Sequence, residues 1–199
     1  MERLMTLLRQ CTEDIAGAGG AWGLDAQIRA YDLLDMLLSA ADNGLRLEDS
    51  AEFRSEAGKY VDVYKSVASG IDARYDEKAL KAELADRLVP YDNALHEARF
   101  EAAAASGLHE FAKEVYEIWQ TSGIFARRRA LRELRKRAGF RLESHRIGNY
   151  VAKTFDLMNE AQARFAKAQQ ARFAVDSGYR IRPGLYSQIH DVLKVISGS

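Results

Sequence analysis

A broad apolar face marks residues 24–44, which read LDAQIRAYDLLDMLLSAADNG. Apolar side chains recur at the spacing of three and four residues that is typical of an α-helix. The recurring positions are Ile28, Tyr31, Leu34, Leu38 and Ala41. Leu33 and Leu37 widen this face, so we expect a helix that is central to the fold. Asp25 is of a type that caps helix N-termini, and Gly44 suits the C-terminal cap.

The same helical spacing continues on both sides of this stretch. It predicts a first helix over about 2–16, and Ser50 is placed to cap a third helix. Pro90 is expected to interrupt a helix or to begin the next one. No strand-like alternation of apolar and polar residues appears. The sequence therefore predicts an all-α fold, a compact bundle of seven to nine helices with a long helix near 142–175.

Length and cysteine content exclude several classes of protein. The chain has 199 residues, enough for one good hydrophobic core. Its single cysteine, Cys11, cannot form an internal disulfide, which excludes a secreted disulfide scaffold. No apolar run approaches the roughly 18 to 20 residues that span a bilayer. The first residues lack the apolar core of a secretory signal. We therefore expect a cytoplasmic protein with no membrane partner.

The net charge of zero is the sum of two unequal halves. Residues 1–100 hold 12 basic and 19 acidic side chains, whereas residues 101–199 hold 17 basic and 10 acidic side chains. We expect a single helical domain over 1–199, because no long linker is apparent. A possible subdivision at Gly123 would separate an acidic helical half, 1–122, from a basic helical half, 123–199.

The positive charge is concentrated in one segment, residues 127–146, which carries nine Arg or Lys side chains against Glu133 and Glu143. Its leucines can dock into the bundle while its arginines face outward, and arginine forks match phosphate oxygens with paired hydrogen bonds. Phe140 and Tyr150 lie near these charges, and such rings can stack on unpaired bases. The candidate nucleic-acid-binding residues are Arg127, Arg128, Arg129, Arg132, Arg135, Lys136, Arg141 and Arg146.

Two functions remain open for this basic segment. The first is a non-enzymatic binding protein that contacts nucleic-acid backbone (DNA or RNA), for example as an accessory subunit of a protein–nucleic-acid assembly. The second is a protein–protein adaptor, an inhibitor or a homo-oligomer, in which the basic face meets an acidic protein surface. A DNA-reading helix-turn-helix fits poorly, because Arg135 falls where a small residue is expected before the turn at Gly139.

An enzyme is not the expectation from this sequence. Asp92 and His96 begin a helical series of acids and histidines, but the Glu-x-x-His pair of di-iron bundles is absent. The glycine-rich loop at 17–23 lacks the residues of a phosphate-binding loop. Cys11 lies on an apolar stripe, where a buried and inert thiol is usual. We therefore predict no catalytic residue, no metal site and no cofactor.

Overall fold

The computed structural model describes residues 1–17, 23–138 and 147–198, and it confirms the all-α prediction. These ranges contain seven α-helices and no strand. The helices are α1 (Glu2–Ala16), α2 (Leu24–Asp42), α3 (Ala51–Arg74), α4 (Glu77–Thr121), α5 (Ile124–Ala138), α6 (Gly148–Val175) and α7 (Leu185–Ser197). Two short 3₁₀ turns, Leu47–Asp49 and Gly178–Arg180, precede α3 and α7. The predicted long helix near 142–175 is α6.

Two of the predicted helix ends are confirmed. The Ser50 hydroxyl accepts a hydrogen bond from the Phe53 amide at 3.2 Å, as expected of an N-cap. Gly44 adopts the left-handed conformation, with φ of 70°, just beyond α2. The amide of Leu45 reaches back to the Ala40 carbonyl at 2.9 Å, so the chain closes α2 in a Schellman motif.

The predicted cap of α2 is wrong. Gly23 occupies the N-cap position, and Asp25 lies inside the first turn, where it pairs with Arg87 at 2.7 Å. That hydrogen bond from Arg87 lowers the pKa of Asp25 below its ordinary value. The capping acceptor comes instead from α4, because a Glu83 carboxylate oxygen accepts the Leu24 amide at 3.0 Å. A cap supplied by a distant helix leaves no local pattern in the sequence.

Pro90 lies inside α4, a helix of 45 residues, so the predicted break there is wrong. A proline within a helix deprives the carbonyl four residues earlier, here that of Asp86, of its amide donor. Both Pro90 and Asp86 are exposed. Water can therefore bind the freed carbonyl oxygen, and the helix continues past the proline.

The chain divides into two compact units. One consists of residues 1–87 and 176–199 and is called here the terminal unit. The other consists of residues 88–175 and is called the internal unit. The division falls within α4 and again after α6. The single helical domain over 1–199 stays a prediction.

The terminal unit is built on a ring of four helices. Helix α1 packs on α2 and α3, and α7 packs on the same two helices from the other side of the ring. The shared core consists of Leu4, Leu8, Cys11, Ile15, Leu33, Leu37, Phe53, Tyr60, Leu185 and Ile189, with their neighbours. The Tyr60 hydroxyl donates to the Tyr186 carbonyl at 3.3 Å, which ties α3 to α7. The last helix of the chain thus completes a core that the first three begin.

The buried face of α2 agrees only in part with the predicted one. The predicted Leu33, Leu34 and Leu37 are buried, whereas Leu38 is 49% exposed and Ala30 is buried in its place. Ala26 extends the buried series at the same helical spacing. The small alanines allow neighbouring helices to approach closely, and a pattern read from large apolar side chains gives them too little weight.

The internal unit contains the later part of α4, together with α5 and α6. Arg172 pairs with Asp92 at 2.6 Å, and Arg164 pairs with Glu101 at 3.2 Å, so α6 runs antiparallel to α4. Farther along the pair, His109 contacts Thr154. The core of this unit consists of Ala112, Val115, Leu131, Leu134, Ile147 and Tyr150.

Candidate nucleic-acid interface

Among the described residues, the basic helix α5 packs on the internal unit through one side. Leu131 and Leu134 are buried in the core of the internal unit. Two cations flank this docked side and lie over aromatic rings of α4. The Arg127 guanidinium lies 5.5 Å from the centre of the Trp119 ring, and the Arg137 guanidinium lies 4.0 Å from the centre of the Phe111 ring.

The opposite side of α5 carries a group of exposed cations, which we call the cationic face. It consists of Arg128, Arg129, Arg132, Arg135 and Lys136. Arg128, Arg132 and Arg135 are separated by four and three residues, so they share one side of the helix. Within the described residues, no hydrogen bond or ion pair holds Arg128, Arg129 or Arg132. Lys136 lies 3.7 Å from Glu133 on the same helix.

Arg132 is the centre of this face. Its four nearest positions on the helix, three and four residues away on either side, are Arg128, Arg129, Arg135 and Lys136. All four carry positive charge, and like charges at these spacings destabilise a helix by about 0.2–0.5 kcal/mol per pair. Arg132 therefore has a like charge at each of these four positions.

Several other arginines of the described residues pair with acids. In the terminal unit, Arg29 binds Asp14 at 2.7 Å with two hydrogen bonds. In the internal unit, Arg164 and Arg172 of α6 pair with acids of α4. Arg128, Arg129 and Arg132 have no such acid among the described residues. Exposed arginines without an acid also occur singly elsewhere, but on the cationic face three of them are neighbours on one helix.

The predicted site residues therefore fall into three groups. The structure brings Arg128, Arg129, Arg132, Arg135 and Lys136 together on the cationic face. Arg127 does not belong to that face, because it is half-buried and its guanidinium lies over the Trp119 ring. Arg141 and Arg146 lie outside the described residues.

Of the two predicted aromatic neighbours of the site, the structure describes only Tyr150. Phe140 lies outside the described residues. Tyr150 is buried in the core of the internal unit, so its expected role in stacking on bases is wrong.

The exposed ring is that of Phe125, in the first turn of α5, with 83% of its surface accessible. It precedes Arg128, Arg129 and Arg132 by three, four and seven residues. That spacing places it on the cationic face and could have been read from the sequence.

Ile124 also differs from its predicted place. The sequence pattern puts it on the apolar stripe with Leu131 and Leu134, but it is 59% exposed. It is the first residue of α5, where the helix has just begun.

Other features offer less chemistry. An open cleft of about 520 Å³ in the internal unit is lined by His109, Lys113, Tyr116, Gly148, Val151, Ala152 and Phe155. In the described ranges, no group of three His, Cys, Asp or Glu side chains is placed to hold a metal ion. Cys11 is buried, and burial together with the nearby Asp14 raises the pKa of its thiol to about 12. A thiol in this state is a poor nucleophile near neutral pH.

The fold and this face define a helical protein with an exposed cationic surface on a docked helix. Comparisons with known protein families, with curated proteins and with solved structures found no match. None of the helices in the described ranges has both the length and the apolar character needed to cross a membrane.

Proposed function

We propose that this chain is a non-enzymatic binding protein of the cytoplasm that contacts nucleic-acid backbone through the cationic face of α5, as an accessory subunit of a protein–nucleic-acid assembly. The observation that carries the proposal is the position of Arg132, exposed and surrounded at all four neighbouring helix positions by cations. A phosphate chain would replace repulsion with attraction at each of these positions. Backbone contact fits this face better than base reading, since arginines grip phosphates without sequence information.

The arrangement of the charges supports this function. Arg128 and Arg132 are about 6 Å apart along the helix axis, and Arg132 and Arg135 about 4.5 Å. Guanidinium groups at such spacing can hold successive phosphates, each with two hydrogen bonds. Docking through Leu131 and Leu134 fixes the helix while leaving these side chains outside.

The test is binding of fluorescently labelled DNA and RNA oligonucleotides, followed by anisotropy at low salt. The variant is the triple change Arg128→Glu, Arg129→Glu and Arg132→Glu. The matched control is Arg3→Glu, Arg46→Glu and Arg54→Glu, which alters net charge equally at exposed arginines of the terminal unit. We expect the first variant to lose binding and the control to keep most of it. Both should retain the helical circular dichroism spectrum, because all six side chains are exposed.

Salt dependence provides a second readout of the same proposal. Affinity should fall linearly in the logarithm of salt concentration, with a slope that reflects the number of phosphates contacted. Removal of one contact should reduce that slope by about one. An affinity that salt leaves unchanged would argue against backbone contact.

The alternative is a protein–protein adaptor, an inhibitor or a homo-oligomer. One observation favours it: Phe155 and Phe173 of α6 are both exposed and, at 18 residues apart, lie on the same side of that helix. If the triple variant dissociates an oligomer instead of releasing nucleic acid, this alternative takes the place of the leading proposal.

A further inference from the structure

Phe125 occupies an unusual environment for an exposed aromatic ring. It is 83% exposed, more than any other large apolar side chain in the described residues. On the helix, Arg128 and Arg129 lie three and four residues beyond it, and Arg132 lies one turn farther. Positions so spaced have Cβ atoms about 5–6 Å apart. The ring therefore lies on the same side of α5 as these arginines, one turn before them.

Two other exposed phenylalanines show that this environment is particular to Phe125. Phe100 of α4 is 73% exposed, and its charged neighbours are Glu97 and Glu101 as well as Arg99. Phe173 of α6 is 79% exposed and follows Arg172, which pairs with Asp92. At three and four residues on either side, neither ring has an arginine or a lysine.

We propose that the cationic face binds single-stranded nucleic acid, with Phe125 stacking on an unpaired base while Arg128, Arg129 and Arg132 hold the adjacent phosphates. This inference rests on the proposed function and specifies its ligand.

A duplex and a single strand present different groups to such a surface. In a duplex the bases already stack on each other inside the helix, so a ring projecting from a phosphate-binding surface meets only the sugar–phosphate backbone. A single strand presents base faces together with phosphates, and every base has a face on which an aromatic ring can stack. A ring set among phosphate-binding cations therefore matches a single strand of either DNA or RNA.

The experiment compares Phe125→Leu with Phe125→Trp and with two control variants, Phe100→Leu and Phe173→Leu. The probes are labelled oligothymidine and oligouridine of about 16 nucleotides, a length that covers the usual single-strand site. A duplex of the same length and vesicles containing phosphatidylserine complete the set. Because all three phenylalanines are exposed, the leucine variants should fold as the parent does.

We expect Phe125→Leu to weaken single-strand binding by about 5- to 150-fold, the effect of losing one stacked base. Duplex binding should stay unchanged. Phe125→Trp should restore single-strand binding, since it restores an aromatic face. The controls should match the parent chain.

Each contrary outcome has a distinct meaning. If Phe125→Leu binds the single strands as tightly as the parent while the triple arginine variant loses binding, the stacking inference is wrong and the proposed function stands. If the parent binds neither single strands nor duplex, both are wrong. If only the vesicles bind, and do so through Phe125, the face meets a membrane surface and the single-strand inference is lost.

Discussion

Arg132 has like charges at all four neighbouring helix positions, which lowers the local stability of α5. Its side chain is exposed, and the nearest helix positions on both sides carry Arg128, Arg129, Arg135 and Lys136. Exposed charges this close repel each other in low salt, and salt screens the repulsion over about 10 Å at 0.1 M. Arg132 does not anchor α5, since Leu131 and Leu134 provide the buried contact.

The change Arg132→Glu should therefore stabilise α5 while it weakens nucleic-acid binding. It replaces repulsion with attraction at four helical neighbours, and we expect a gain of about 1 kcal/mol in low salt. Hydrogen exchange of peptides from α5 measures this local stability, and the gain should shrink in high salt. Faster exchange in the variant would mean that Arg132 makes a stabilising contact.

At the scale of elements, a buried polar contact joins the antiparallel helices α4 and α6. The hydroxyl of Thr154 donates to the Tyr150 carbonyl at 2.8 Å, so its oxygen is left to accept from Nδ1 of His109 at 3.2 Å. Both side chains are buried. A buried donor without a partner costs about 1–3 kcal/mol, and this contact therefore fixes how the two helices meet.

We expect Thr154→Val to destabilise the internal unit by about 1–2 kcal/mol, because it leaves the His109 imidazole without its acceptor. Thr121→Val is the matched control, since Thr121 is exposed and bonds only to the Glu117 carbonyl of its own helix. Urea unfolding of the two variants measures the difference. Equal stability would show that the contact contributes nothing to the pairing of α4 and α6.

Local sequence patterns predict where most helices lie. They do not predict that α4 continues through Pro90 or which helices pack together. The apolar stripe of α1 and the Ser50 cap are properties of neighbouring residues, so the sequence contains them. The continuation of α4 through Pro90 depends on which side of the helix faces water. The burial of Tyr150 depends on which helices pack together. Neither tertiary fact is present in a local pattern.

In the candidate site, too, local patterns are predictable and tertiary contacts are not. The cationic face was predicted, because charge and helical spacing are local properties of residues 127–136. The contact of Arg127 with Trp119 is not predicted, because it depends on how α4 packs beside α5. The exposed Phe125 is not among the predicted site residues, although its spacing to Arg128 and Arg129 is a local property. The apolar pattern instead places the neighbouring Ile124 in the core.

At the scale of the whole molecule, chain ends distant in sequence form one core. Helix α7 contributes Leu185, Tyr186, Ile189 and Leu193 to the core begun by α1, α2 and α3. Burial of a large apolar side chain contributes about 1.5–3 kcal/mol. Four such side chains together are comparable with the whole stability of a typical domain, which is about 5–15 kcal/mol. The terminal unit therefore depends on α7.

Ile189→Ala should destabilise the terminal unit by about 2–5 kcal/mol, since it opens a cavity at a fully buried position. Val195→Ala, at an exposed position of the same helix, should change stability little. Thermal unfolding followed by circular dichroism measures both. A similar loss in the two variants would contradict the placement of α7 in this core.

The charge balance of the molecule also matters at this scale. A net charge of zero leaves little long-range repulsion between copies and little long-range attraction to a polyanion. Binding to nucleic acid must then depend on the local charge of the cationic face. Acids of the described residues leave its arginines Arg128, Arg129 and Arg132 unpaired.

The most direct measurement of the central claim is the affinity of the parent chain and of the Arg128→Glu, Arg129→Glu, Arg132→Glu variant for a labelled oligonucleotide across a range of salt concentrations. We expect the parent to bind at low salt with an affinity that falls linearly in log salt, and the variant to lose binding while it keeps its helical spectrum. The absence of binding by the parent at low salt, or equal binding by the two proteins, would contradict it.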